Sequence, residues 1–354
     1  MSSPAPARPG TIVTIQYLRG IAASLVALYH AAGTPPLGPA PSWLADLGVD
    51  LFFVISGCIM WATTERGRKP LAFWEARLLR IVPLYWIFTT AYVAVGLLWP
   101  AALFNAAFDP LFVVKSYLFV PAVHPTLGAT APVYTLGWTL NYEMFFYLVF
   151  GLCLFIPWRL PRLAVVIATL VALVLIGAIA APDGAVAAFY TRPIMLDFAA
   201  GILLASLAPR LYVMPPTAGL ALIAFALLWL AGAATLTSWN ARLVLIGVPA
   251  AAIVAGALIL EPLAQRRVSR LALLLGDASY ALYLAHPFAQ RAWYLIYSVV
   301  IGRASEAALA GLAVTMFAAG LCGGILCHLL IERPILAARR YLRAARLNSA
   351  PAPN

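Results

Sequence analysis

Ten stretches of this chain are apolar and about as long as a bilayer is thick: 13–33, 44–63, 78–99, 133–156, 162–181, 192–208, 215–233, 241–260, 272–300 and 306–331. A helix needs about 20 mostly apolar residues to cross the hydrocarbon layer. The pattern therefore predicts an all-α fold, a polytopic membrane helix bundle with about ten transmembrane helices. Composition agrees: 64% of residues are hydrophobic and 10% are charged, against about a quarter charged in soluble domains. One further stretch, 103–120, is interrupted by Asn105, Asp109, Pro110 and Lys115. It is expected to be an interfacial or re-entrant piece of a long outer loop.

The net charge of +11 would suit a nucleic-acid partner if the basic residues formed a platform or a long basic tail. They sit instead in short loops between apolar runs. With the N-terminus in the cytoplasm, that side receives Arg66, Arg68, Lys69, Arg77 and Arg80, then Arg159, Arg162, Arg210, Arg266, Arg267 and Arg270. Arg333, Arg339, Arg340, Arg343 and Arg346 follow the last stretch, whereas the opposite loops hold Lys115, Arg192, Arg242 and Arg303. This is the positive-inside asymmetry. It predicts both termini in the cytoplasm, no nucleic-acid partner, and a basic tail lying along anionic headgroups. Residues 1–12 read as a disordered lead, 13–334 as the membrane domain and 335–354 as the tail; the first apolar run reads as a retained signal anchor. Cys58, Cys153, Cys322 and Cys327 all lie in apolar segments, where small buried hydrophobes are expected. Cys327-His328 does not match zinc-ligand spacing, so no metal is expected.

Polar residues inside the apolar runs carry the functional reading, because ionisable groups in lipid are costly and usually face a bundle interior or a wet cavity. Arg19 and His30 are eleven residues apart. They fall on nearly one face of the first helix, roughly 16 Å apart along its axis. Asp50 opens the second helix and needs a cation, for which His30 is a natural candidate; a helix-terminal role is the alternative. Arg77 and Arg80 are neighbours on one helical face at the cytoplasmic boundary, fit either to clamp phosphates or to anchor the helix. Glu143 lies about midway down its helix with Tyr147 one turn below it, following Trp138. Ser279, Tyr283 and His286 form one polar stripe, either the wall of a pocket or interhelical glue. Ser56-Gly57 reads as a small-residue helix contact. Ile331-Glu332-Arg333-Pro334 reads as a helix end.

Together these motifs resemble the acyltransferase 3 family of integral membrane proteins. The resemblance rests on Leu18-Arg19-Gly20 with His30, on Gly48-Val49-Asp50-Leu51-Phe52-Phe53-Val54-Ile55-Ser56-Gly57, and on Arg77-Leu78-Leu79-Arg80-Ile81-Val82-Pro83. It continues through Trp138-Thr139-Leu140 with Glu143 and Tyr147, Ser279-Tyr280-Ala281-Leu282-Tyr283-Leu284 with His286, and Glu332-Arg333-Pro334. Six motifs in order cover almost the whole chain. The resemblance implies O-acyl transfer, usually of acetyl from acetyl-CoA, to a sugar hydroxyl of a surface or exported glycan. Members that modify exopolysaccharide are the most similar. It also implies that Arg19, His30, Arg77, Arg80 and Glu143 fall on the family's functional positions.

The expected protein is thus a multi-pass O-acetyltransferase of the bacterial inner (plasma) membrane. Its partners would be acyl-CoA, a polysaccharide or lipid-linked saccharide acceptor and the lipid bilayer. His30 is the expected base, with Glu143 or Asp50 orienting it and holding its charged form. Arg77 and Arg80 would hold the phosphates of CoA. Arg19 would steer the donor or stabilise developing negative charge. Ser279, Tyr283, His286, Trp138 and Tyr147 are the expected pocket residues. The rival reading is a transporter or flippase for a lipid-linked glycan. Such proteins often show inverted repeats, and no internal repeat is visible here.

Overall fold

The computed structural model describes residues 11–34, 38–64, 67, 69–99, 108–233, 239–300 and 306–338. The lead to residue 10, Arg66, Arg68, Arg303 and the tail beyond 338 lie outside the described residues. The helices are α1 (Val13–Ala32), α2 (Trp43–Thr64), α3 (Pro70–Leu98), α4 (Pro110–Tyr117), α5 (Trp138–Cys153), α6 (Arg159–Ala180) and α7 (Ala185–Tyr190). They continue with α8 (Met195–Leu211), α9 (Pro216–Ala233), α10 (Trp239–Arg242), α11 (Val248–Ala264), α12 (Arg270–Val300) and α13 (Glu306–Cys327). Among the described residues there is no β-strand, only an isolated bridge between Val123 and Thr130.

Each of the ten apolar stretches falls on helix. Among the described residues, six helical stretches are long and apolar enough to cross a membrane on those grounds: Trp43–Thr64, Pro70–Leu98, Arg159–Ala180, Ala185–Leu211, Leu243–Ala264 and Gly311–Ala338. The others differ for identifiable reasons. α5 has only 16 residues. α1 and α12 carry polar groups: Gln16, Arg19 and His30 on one, and Asp277, His286, Gln290 and Arg291 on the other. α1, α5 and α12 all border the cavity described below, together with α2 and α3. By contrast α6 buries only Arg162, Val166 and Leu170 and exposes apolar side chains such as Leu175, Ile176 and Ile179. A face that apolar has no place in water; the protein is a membrane protein.

α1 is central, packed against α2, α11, α12 and α13. Its N-terminus has no side-chain cap of its own. The carboxylate of Glu261, near the end of α11, supplies one: it accepts from the Val13 and Thr14 amides at 2.7 and 2.8 Å and from Thr14 Oγ1 at 2.6 Å. A negative charge there satisfies free amides and complements the helix dipole. α12 approaches α1 closely because position 276 is glycine; a β-carbon there would overlap the Gln16 backbone. Gly57 of α2 meets α8 in the same manner, against the Phe198 carbonyl, so the expected small-residue contact is present.

One local feature differs from the sequence reading, and one adds to it. The last helix does not end at Ile331. After α13 it runs through a π-turn, His328–Glu332, and continues to Ala338. A π-turn widens the helix just before Pro334, where a missing amide and the proline ring would otherwise break the ladder. The His328 and Glu332 side chains close that turn, Nδ1 to Oε2, at 2.6 Å. In the loop after α3, the part of 103–120 that is described forms α4, capped by Asp109, whose Oδ1 accepts from the Phe112 amide at 2.8 Å. Tyr85 Oη and Trp86 Nε1, midway along α3, donate to the Ser116 and Tyr117 carbonyls at 3.0 and 2.9 Å.

Candidate active site

Five helices, α1, α2, α3, α5 and α12, enclose a cavity of about 290 Å³. Arg19, Ser56, Arg77, Arg80, Glu143, Tyr147, Ser279 and Tyr283 all contribute to its wall. Residues from five separate parts of the sequence thus converge on one space, among them seven of the eleven expected site residues.

Arg19 is buried, with a side chain 8% exposed. Its Nη1 donates to Gln16 Oε1 at 3.0 Å, one turn away on the same helix. Among the described residues no carboxylate lies within ion-pair distance of Arg19 or Arg80. Arg77 stacks over the Phe73 ring, 5.8 Å from its centroid. Glu143 is the single carboxylate on the wall, against three guanidinium groups, and it is already engaged. Tyr147 Oη donates to its Oε1, and so does Ser56 Oγ, at 3.3 Å. Ser56 was not expected to take part; its hydroxyl is one helix away from Glu143, which no local pattern reveals. The backbone under Tyr147 is held by Trp74, whose Nε1 donates to the Tyr147 carbonyl at 2.9 Å. Gly151 leaves the room that the Trp74 indole fills.

On the α12 wall, Ser279 Oγ is buried with no hydrogen-bond partner among the described residues. Tyr283 Oη donates to the Leu136 carbonyl at 2.9 Å and meets Thr139 Oγ1 at 2.9 Å. Phe52 stands edge-on to the Tyr283 ring at 6.0 Å.

The two remaining expected residues of the stripe and the first helix lie beyond Tyr283. His286 is fully buried, one turn farther along α12, and its Nε2 lies 3.3 Å from His30 Nδ1. The rings are tilted by 49° with centroids 5.1 Å apart. His30 is half-buried, so this pair sits at one end of α1 while Arg19 faces the cavity toward the other.

Asp50 and Trp138 are placed differently from expectation. Asp50 is buried, but its partner is Arg242 and not His30. Arg242 Nη2 and Nε donate to Asp50 Oδ1 at 2.5 and 3.1 Å, and Nη1 pairs with Asp46 Oδ1. Asp50 and Asp46 are four residues apart, so both carboxylates face the same way on α2 and one guanidinium bridges them. Glu143 likewise turns to Ser56 and Tyr147 rather than to His30. Trp138 packs edge-on against Tyr142 at 5.9 Å and does not line the cavity.

Comparison with known proteins agrees with the resemblance carried by the motifs. The family model described as an acyltransferase domain, the acyltransferase 3 model, matches residues 12–333. The exopolysaccharide production protein ExoZ of Rhizobium meliloti (strain 1021) is 41% identical over 310 residues, covering 84% of this chain and 91% of that protein. No solved structure matches the chain significantly. The match runs from the start of α1 to the π-turn after α13 and takes in every wall of the cavity, and the chain belongs to the acyltransferase 3 family.

Proposed function

We propose that this acyltransferase moves an acyl group, acetyl in the first instance, from cytoplasmic acyl-CoA to a sugar hydroxyl of an exported or surface polysaccharide or its lipid-linked precursor. The observation that carries this reading is the charge of the cavity. Three arginines meet one carboxylate there, and that carboxylate is held by a tyrosine and a serine. Arg19 is buried with no carboxylate at ion-pair distance among the described residues, and a buried charge so placed costs several kcal/mol. A cavity built this way is completed by an anion, and guanidinium groups suit phosphate oxygens in particular. The phosphates of CoA meet that description. The name of the similar Rhizobium protein supports an exopolysaccharide acceptor.

In this reading Arg77 and Arg80 hold the phosphates, and Arg19 meets the donor farther in. The roughly 16 Å from Arg19 to His30 along the α1 axis is crossed by the extended pantetheine arm, which carries the thioester toward His30. A sugar hydroxyl is a poor nucleophile until a base takes its proton. His30 accepts that proton as the hydroxyl oxygen bonds to the thioester carbonyl carbon. The carbon–sulfur bond then breaks and the proton passes from His30 to the departing thiolate. Ser279, with its unpartnered buried hydroxyl, is placed to bind substrate oxygen on the path between the two ends. Asp50 has no part in this scheme, because Arg242 occupies it.

The test is direct: purified protein with radiolabelled acetyl-CoA and the polysaccharide of its own host, followed by mass spectrometry of the glycan. A gain of one acetyl mass per modified sugar, absent without the protein, is the expected result. CoA binding too weak to detect, with glycan moved across the membrane unmodified, would favour the transporter reading instead.

A further inference from the structure

The contact between His30 and His286 determines more than proximity. His30 Nδ1 lies 2.8 Å from the Val26 carbonyl oxygen, and His286 Nδ1 lies 3.0 Å from the Leu282 carbonyl oxygen. A carbonyl only accepts, so in both neutral rings Nδ1 carries the proton and Nε2 carries the lone pair. At the 3.3 Å contact the direction then follows: His30 Nδ1–H donates to His286 Nε2, sharing its proton with Val26. The other nitrogen of His30, Nε2, is left as a bare lone pair.

We propose that His286 is the positioning residue for the base. Its Nε2 fixes the ring plane of His30 and stabilises the imidazolium that forms when His30 Nε2 takes the acceptor's proton. This assignment rests on His30 acting as base in the acyl-transfer reading. It gives a neutral imidazole the part that a carboxylate plays in a serine-protease triad. Neither Asp50 nor Glu143 is placed to take that part, since Arg242 and the Tyr147–Ser56 pair hold them. The reaction is unchanged in its atoms. The proton leaves the sugar oxygen for His30 Nε2 and goes on to the thiolate, while His286 gains and loses none.

Two measurements test it. In the full-length wild-type protein, 15N NMR of the histidine rings should show both His30 and His286 as Nδ1–H tautomers. A His286 protonated at Nε2 would reverse the hydrogen bond and overturn the assignment. This readout does not depend on catalysis, so it stands even if acetyl transfer is not observed. In turnover assays with acetyl-CoA, His286→Leu removes the acceptor and His286→Gln keeps one near the position of Nε2. Losing the orienting aspartate of the protease triad costs about 10⁴-fold. The loss expected for His286→Leu is smaller, about 10–10²-fold in kcat, because Val26 still sets the tautomer; the KM for acetyl-CoA should not change. His286→Gln should recover most of that turnover. Leu and Gln variants of equal turnover, at any level, would overturn the proposal. If the Leu variant does not fold, the wild-type tautomers decide.

Discussion

At the scale of single residues, the proposed function gives binding to the arginines and chemistry to His30. Arg80→Ala should weaken acetyl-CoA binding by about 1.5–3 kcal/mol, the value of a hydrogen bond to a charged group. Arg80→Lys should recover part of it, since the point charge returns without the planar fork. Calorimetry on the purified protein checks both, and unchanged affinity in the Ala variant would make Arg80 a topological anchor only. His30→Ala should cost about 10²–10⁴-fold in turnover while CoA still binds, because the cavity's arginines are untouched; activity per correctly folded molecule is the quantity to measure. Much of this was legible in sequence. The spacing of Arg19 and His30, the Arg77–Arg80 pair and the mid-helix Glu143 each break an apolar pattern, and lipid tolerates such breaks only for a reason. What sequence could not supply was pairing. Asp50 and His30 are close in sequence across one turn, so His30 looked like the partner. The actual partner, Arg242, is 192 residues away.

At the scale of elements, that pairing has a testable consequence. Arg242 enters from the end of α10 and ties itself to the first turns of α2 through Asp46 and Asp50. Removing one side of a buried pair strands the other and costs about 3–5 kcal/mol, whereas replacing both with apolar residues is often neutral. Asp50→Leu and Arg242→Leu should each lower the yield of folded protein, and the double variant should recover yield together with acyl transfer. A folded double variant without activity would return Asp50 to the mechanism. Helix existence and place were legible from apolar run length alone. Helix ends were less so. The sequence marks Pro334 as a stop, but the π-turn His328–Glu332 carries the helix past it. The cap of α1 is equally hidden, because Glu261 reaches it from 248 residues away. The cap is a tertiary solution to a backbone problem that a local pattern poses without answering, while the π-turn is a local one that apolar run length does not register.

At the scale of the whole molecule, polarity runs inward. The apolar faces of α6 and α9 look outward, while α1, α2, α3, α5 and α12 turn their polar groups to the cavity. That arrangement is how a membrane protein keeps charge away from lipid. Among the described residues, length and composition together pick out six spans where run length suggests ten: α5 and α9 fall short in length, while α1 and α12 carry the polar groups of the site. The ten crossings expected from the sequence would put both termini in the cytoplasm, with the arginine-rich loops beside them. On that topology the end of the cavity bearing Arg77 and Arg80, proposed above for the donor, would open on the cytoplasmic side. Cysteine labelling tests this in a background lacking Cys58, Cys153, Cys322 and Cys327. Asp183, exposed between α6 and α7, and Arg267, exposed between α11 and α12, are suitable positions. Asp183→Cys should react with an impermeant maleimide in cells whose outer barrier has been opened but whose inner membrane is intact. Arg267→Cys should react only after that inner membrane is permeabilised. The reverse pattern would put Arg77 and Arg80 on the wrong side for a cytoplasmic donor and would remove the basis for placing the phosphates there. Equal labelling of both in intact cells would mean an even number of crossings between them, and so a helix among α7 to α11 that does not span as assigned.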